Sequence, residues 1–124
     1  MSAKSMDLAW IVVKDLKEAV KFYTEVVGLK LSEIHEQFGW AELAGPDGGS
    51  RLGIAQAQHE PTVAPGSNAV VTFSVSHIEQ VVENFLKKGA ECVGKIQEIP
   101  GHVKLQMVRD KDGNYFQLAE MIAK

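Results

Sequence analysis

The chain has 124 residues, 45% of them hydrophobic and 23% charged, and carries a net charge of −3. That length bounds it to about one domain, able to bury roughly two-thirds of its unfolded surface, and the composition excludes fibrous and disordered classes. Lysine and arginine form no cluster, which argues against nucleic acid and against an anionic membrane surface as partner.

No apolar run approaches the roughly twenty residues of a membrane span, and the N-terminal MSAKSMD lacks the apolar core of a signal peptide. The single cysteine, Cys92, has no internal disulfide partner, which fits a reducing compartment. A cytoplasmic protein is expected. At the start of a strand and without a neighbouring histidine, Cys92 reads as structural rather than as a reactive thiol.

In chain order, residues 8–28 predict a strand, a short turn and an amphipathic helix. Asp15 stands at the cap, with Glu18 at capping-box spacing. Leu16, Ala19, Val20, Tyr23, Val26 and Val27 recur at helical spacing, and Gly28 stands where the helix must stop. LKLSEIHE reads as the second strand, Trp40 to Leu43 as the third, GPDGGS as a hairpin turn and Arg51 to Gln58 as the fourth strand. HEPTVAPGSN (59–68), with two prolines and no periodicity, reads as a linker. The pattern then restarts. AVVTFSV (69–75) predicts a strand, 76–89 a helix ending in glycine, AECVGKIQEI and HVKLQMV two strands, DKDGN a turn and YFQLAEM the last strand.

The halves align with an offset of 62, Leu8 falling on Val70 and Asp15 on His77. Shared element order, helix phase, helix-ending glycine and late Asp-Gly turn point to internal duplication. The expected fold is α+β. Two βαβββ modules, 6–58 and 69–122, would form curved mixed sheets around a cleft, with one helix outside each. Each half is too small to bury its own sheet well, so the halves are expected to pack together or with another copy.

The stretch VVKDLKEAVKFYTEVVGLKL resembles the opening of the glyoxalase/bleomycin-resistance/dioxygenase family, the vicinal oxygen chelate superfamily. VRDKDGNYFQLAE resembles that family's closing D-x-D-G-x-x-x-E-L hairpin. The resemblance runs from about Met6 to Met121 and implies a homodimer. It also implies a concave sheet face where metal-dependent members place four ligands drawn from His, Glu and Gln. The matching positions here are Leu8, Gly53, Val70 and Gln117. Three have no donor atom, and a slip that substituted Gln56 would still leave two neutral amides, too few donors for a divalent ion. No catalytic metal and no other cofactor are expected.

Strand periodicity sorts the faces. Ala9, Ile11, Val13, Leu52, Ile54, Val71, Phe73, Val75, Phe116 and Leu118 should lie under the helices. The cleft face should carry Leu8, Trp10, Val12, Arg51, Gly53, Ala55, Val70, Thr72, Ser74, Tyr115, Gln117 and Ala119, with Trp40 on the same face. Glu42, Lys104 and Gln106 are expected around them. Trp10, Trp40, Glu42, Arg51, Thr72, Tyr115 and Gln117 are the candidate ligand-binding residues. The tryptophans either line a small-molecule pocket or fill the groove by packing. Glu42 and Arg51 read as a cross-strand ion pair. His35, His59, His77 and His102 lack ligand spacing and read as structural or exposed, with His102 nearest the cleft.

Two function classes follow. One is a metal-free protein of the bleomycin-resistance type, holding an apolar or aromatic ligand in the concave cleft. The other is a divergent lyase, isomerase or oxygenase of the same superfamily, using Glu42, Tyr115, His102 or a bound cofactor.

Overall fold

The computed structural model describes Lys4 and residues 6–122. The chain falls into two compact units, residues 1–68 and 69–124. Each is an α+β unit with one helix and an open four-stranded mixed sheet.

In the first unit the elements are β1 (Leu8–Val13), α1 (Leu16–Glu25), β2 (Lys30–His35), β3 (Trp40–Gly45) and β4 (Gly48–Gln56). The strand order is β1-β4-β3-β2, with β1 parallel to β4 and the other pairs antiparallel. A parallel pair needs a crossover, and among these elements α1 lies on the connection that leaves β1. Ile11, Val13, Ala41, Leu43, Leu52 and Ile54 share the helix side by register and are buried with Leu16, Ala19 and Tyr23 of α1.

Helix α1 begins as its sequence predicts: Asp15 is extended, and its Oδ1 accepts from Glu18 N at 3.1 Å. A second cap comes from a distance, because Gln56 Oε1 at the end of β4 accepts from Leu16 N at 2.8 Å. After the helix, Gly28 takes φ +97°, a left-handed conformation that spares the strain a side chain would meet there.

The second unit repeats the order as β5 (Val71–Ser74), α2 (Ile78–Lys87), β6 (Glu91–Ile99), β7 (Val103–Arg109) and β8 (Tyr115–Met121), arranged β5-β8-β7-β6. Phe73, Phe116 and Phe85 meet in edge-on or tilted contacts under α2, with ring centroids 5.4 and 6.4 Å apart. The helix ends in a Schellman motif: Ala90 N bonds Phe85 O, Gly89 N bonds Leu86 O, and Gly89 has φ +85°. In the closing turn, Asp110 Oδ1 accepts from Asp112 N and Asn114 N, both at 2.9 Å, which satisfies the buried Asp110 and Asn114.

Some boundaries differ from those read in the sequence. The strand expected at 69–75 is confined to Val71–Ser74, and the fourth strand ends at Gln56, where Ala57–His59 form a turn of 3₁₀ helix. The strands flanking GPDGGS run into it, leaving Pro46 and Asp47 as the turn. His77 does not take over the capping role of Asp15. It adopts φ 56°, makes no side-chain cap bond, and its backbone N–H is received instead by Glu120 of β8.

Candidate functional site

One face of the first sheet carries α1; the other collects the polar and aromatic groups. On β3 and β4, Trp40 lies opposite Ala55 and Glu42 opposite Gly53, and on β1 Trp10 lies beside Gly53. A Cβ built at Gly53 would come within 2.4 Å of Trp40 Cη2 and 2.9 Å of Leu8 Cδ1. The indole of Trp40 therefore occupies the space that a side chain at 53 would need. Trp10 meets it edge-on, with ring centroids 6.2 Å apart, and both indoles remain partly exposed.

Polar groups run outward from this pair. Trp40 Nε1–H donates to Glu42 Oε2 at 3.0 Å, and Arg51 Nη1 lies 3.1 Å from Glu42 Oε1. Glu33 of β2 stands directly across from Glu42, so two carboxylates face each other. Arg51 Nη1 is 3.9 Å from Glu33 Oε2 and so approaches both acids, while His35 Nε2 is 2.8 Å from Glu33 Oε1. Exposure distinguishes the members: the side chain of Glu42 is 15% exposed and that of Arg51 49%. Glu42 is thus a covered anchor, and Arg51 reaches solvent. Asn68 Nδ2 donates to Trp10 O, tying the end of the 59–68 segment to edge strand β1.

Trp10, Trp40, Glu42 and Arg51 therefore meet on one face of the first unit. Thr72, Tyr115 and Gln117 belong to the second unit. There Thr72 Oγ1–H donates to Gln117 Oε1 at 3.3 Å, and Arg109 Nη1–H donates to the Tyr115 hydroxyl at 3.0 Å while its guanidinium also pairs with Glu91. Lys104 and Gln106 correct the expectation of cleft residues. Both share the helix side of their sheet, because β7 pairs Gln106 with buried Leu118 and Lys104 with Glu120. Lys104 Nζ pairs with Glu79 of α2 at 2.7 Å, and Gln106 Nε2 donates to carbonyls of Val93, Gly94 and Met107 at the irregular stretch of β6. Cys92 lies opposite buried Val108, and burial pushes its thiol pKa up, away from the reactive thiolate.

Glu33 and His35 are the members that sequence reasoning missed. Their signal was present: they alternate along SEIHE and fall opposite Glu42 and Trp40, so period-two faces on β2 would have found them.

The four positions that the resemblance matches to metal ligands carry few donor atoms. Leu8 and Val70 offer hydrocarbon, Gly53 is covered by the Trp40 indole, and Gln117 offers one neutral amide that already accepts from Thr72. Among the described residues no three His, Cys, Asp or Glu side chains group so as to hold a metal ion.

Two βαβββ units in one chain, each an open four-stranded mixed sheet with one helix on it, define the fold class. Residues 5–118 match the Glyoxalase/Bleomycin resistance protein/Dioxygenase superfamily, and the chain belongs to that family. Among solved structures, it is similar to TnmS3, an antibiotic binding protein from Streptomyces sp. CB03234, at 23% identity and TM-score 0.82, with 98% of each chain covered. A family member from Sphaerobacter thermophilus DSM 20745 superposes with TM-score 0.82 at 18% identity, covering 95% of this chain and 98% of that one. A glyoxalase family protein from Bacillus cereus is 28% identical, with TM-score 0.75, covering 99% of this chain and 97% of its own. The chain matches none of the curated proteins. Among the described residues no helix is long and apolar enough to cross a membrane.

Proposed function

We propose that this protein is a metal-free small-molecule-binding member of its family, holding an apolar or aromatic ligand against Trp10 and Trp40. The observation that carries the reading is the partly exposed, edge-on indole pair, flanked by polar groups already held in place. Such a face combines a large apolar contact with a few orienting contacts, as small-molecule sites do. The donor-poor ligand positions support a metal-free state. The antibiotic-binding neighbour TnmS3 supports binding rather than turnover. So does Glu42, whose two oxygens are both engaged by protein groups and which is therefore ill placed to act as a general base.

The proposal extends to a homodimer in the cytoplasm. Val70, Val93, Ile99, Tyr115 and Met121 of the second unit are 36–68% exposed, an apolar surface that a second copy would cover. Sedimentation velocity of the purified chain should give twice the 13.6 kDa chain mass; a monomer across the micromolar range would end this part of the reading.

The binding site is tested by titrating neutral fused-ring aromatics while following tryptophan emission. The wild type should show a saturable change, and Trp10→Phe and Trp40→Phe should each reduce its amplitude and weaken binding. Emission that stays constant across a diverse aromatic library would instead mean that the indoles serve packing alone.

A further inference from the structure

Resting on the ligand site just proposed, we infer that Arg51 makes the site selective for aromatic ligands that carry an acidic oxygen, a carboxylate or a phenolate. The guanidinium has five N–H donors in a fixed fork. Only Nη1 is spoken for, at 3.1 Å from Glu42 and 3.9 Å from Glu33, and among the described residues Nε and Nη2 have no protein partner. The fork is also held in orientation. Glu42 is covered and takes the Trp40 indole N–H on its other oxygen, so Trp40, Glu42 and Arg51 form one connected chain beside Trp10. A ring resting on the indoles would thus lie beside a half-exposed cation whose donors are preset, and ordering entropy already met by the protein favours the ligand.

Counting charge alone suggests the reverse preference, since Glu33 and Glu42 outnumber Arg51. Their oxygens, however, face the indole N–H, His35 and Arg51 itself. The unfilled hydrogen-bonding capacity that remains on a preset group is donor capacity. An acidic oxygen supplies the matching acceptor, and charge-assisted bonds of this kind are about twice as strong as neutral ones.

Matched probes test this: 2-naphthoate, 2-methylnaphthalene and 2-naphthylmethylammonium, each titrated by tryptophan quenching. In the wild type, 2-naphthoate should bind about tenfold tighter than the ammonium probe, equivalent to about 1.4 kcal/mol. Arg51→Gln should bring the naphthoate-to-ammonium affinity ratio to one or below, and Arg51→Lys should restore part of it, since lysine keeps the charge and loses the fork. The ratio is the readout, so a general weakening in either variant cancels, and circular dichroism verifies folding. Tighter binding of the ammonium probe by the wild type, or an unchanged ratio in Arg51→Gln, overturns the inference while leaving the aromatic site intact. Failure of 2-methylnaphthalene and both charged probes to bind overturns the site and this inference together.

Discussion

At residue 53 the absence of a side chain is what lets an aromatic site form. Gly53 sits between β1 and β3, and the Trp40 ring lies over it so closely that a single added carbon would overlap Cη2 and Cζ2, at 2.4 and 2.7 Å. Gly53→Ala should therefore swing the indole away, break its bond to Glu42 and cost about 1–3 kcal/mol, the usual range for overpacking. Denaturant unfolding reads the cost, and a shift in tryptophan emission reads the displacement. Trp40→Phe should recover most of the loss in the Gly53→Ala background, because the smaller ring does not reach as far. A Gly53→Ala protein with wild-type stability and emission would show that the close approach is not maintained in solution.

Among the elements, the two units share a device that ties helix to sheet. In the first, Gln56 at the end of β4 receives Leu16 N at the start of α1; in the second, Glu120 near the end of β8 receives His77 N and Ile78 N at the start of α2, at 3.1 and 3.0 Å. The strand parallel to each module's first strand thus caps the helix that follows it, at a helix end where unpaired N–H groups collect. Gln56→Ala should lower stability by about 1 kcal/mol, as loss of a cap does, whereas Gln56→Glu, copying the twin module, should retain the wild-type value or exceed it. Chemical denaturation measures both, and an Ala variant as stable as the wild type would remove Gln56 from the cap. Neither long-range cap was legible in the chain. Asp15 and Glu18 are three residues apart and announce their bond locally, but Gln56 and Leu16 are forty apart and meet only once the parallel strand pair has formed. His77, which aligns on Asp15, stands at the helix start as an exposed residue with positive φ and no cap bond of its own, and Glu120 receives its N–H.

At the scale of the whole molecule, exposed carboxyls tie several elements together through hydrogen bonds. Hydrogen bonds hold three carboxyls of the second unit below the usual carboxylate range: Glu79 through Lys104, Glu91 through Arg109, and Glu120 through the N–H groups of Ile78 and His77. In the first unit Glu60 is held down in the same way, by Thr62 in the loop after β4. A carboxyl depressed in the folded state contributes stability above its unfolded pKa and loses it as pH falls through the folded value. Hydrogen exchange followed from neutral pH into and below the carboxylate range should therefore show α2 and β8 losing protection before α1 and β4. Because these groups are exposed, high salt should shrink the contrast. Earlier loss in the first unit would contradict this distribution. The duplicated βαβββ order, the faces of the helices and of the strands β1, β4, β5 and β8, and the family are written in the chain, because these rest on periodicities and turn chemistry repeated along it. The tertiary structure decided which polar groups meet. It turned Lys104 and Gln106 toward the helix, spent Gln56 and Glu120 on caps, and brought Glu33 to Arg51, because cross-strand register and long-range hydrogen bonds exist only between segments already folded together.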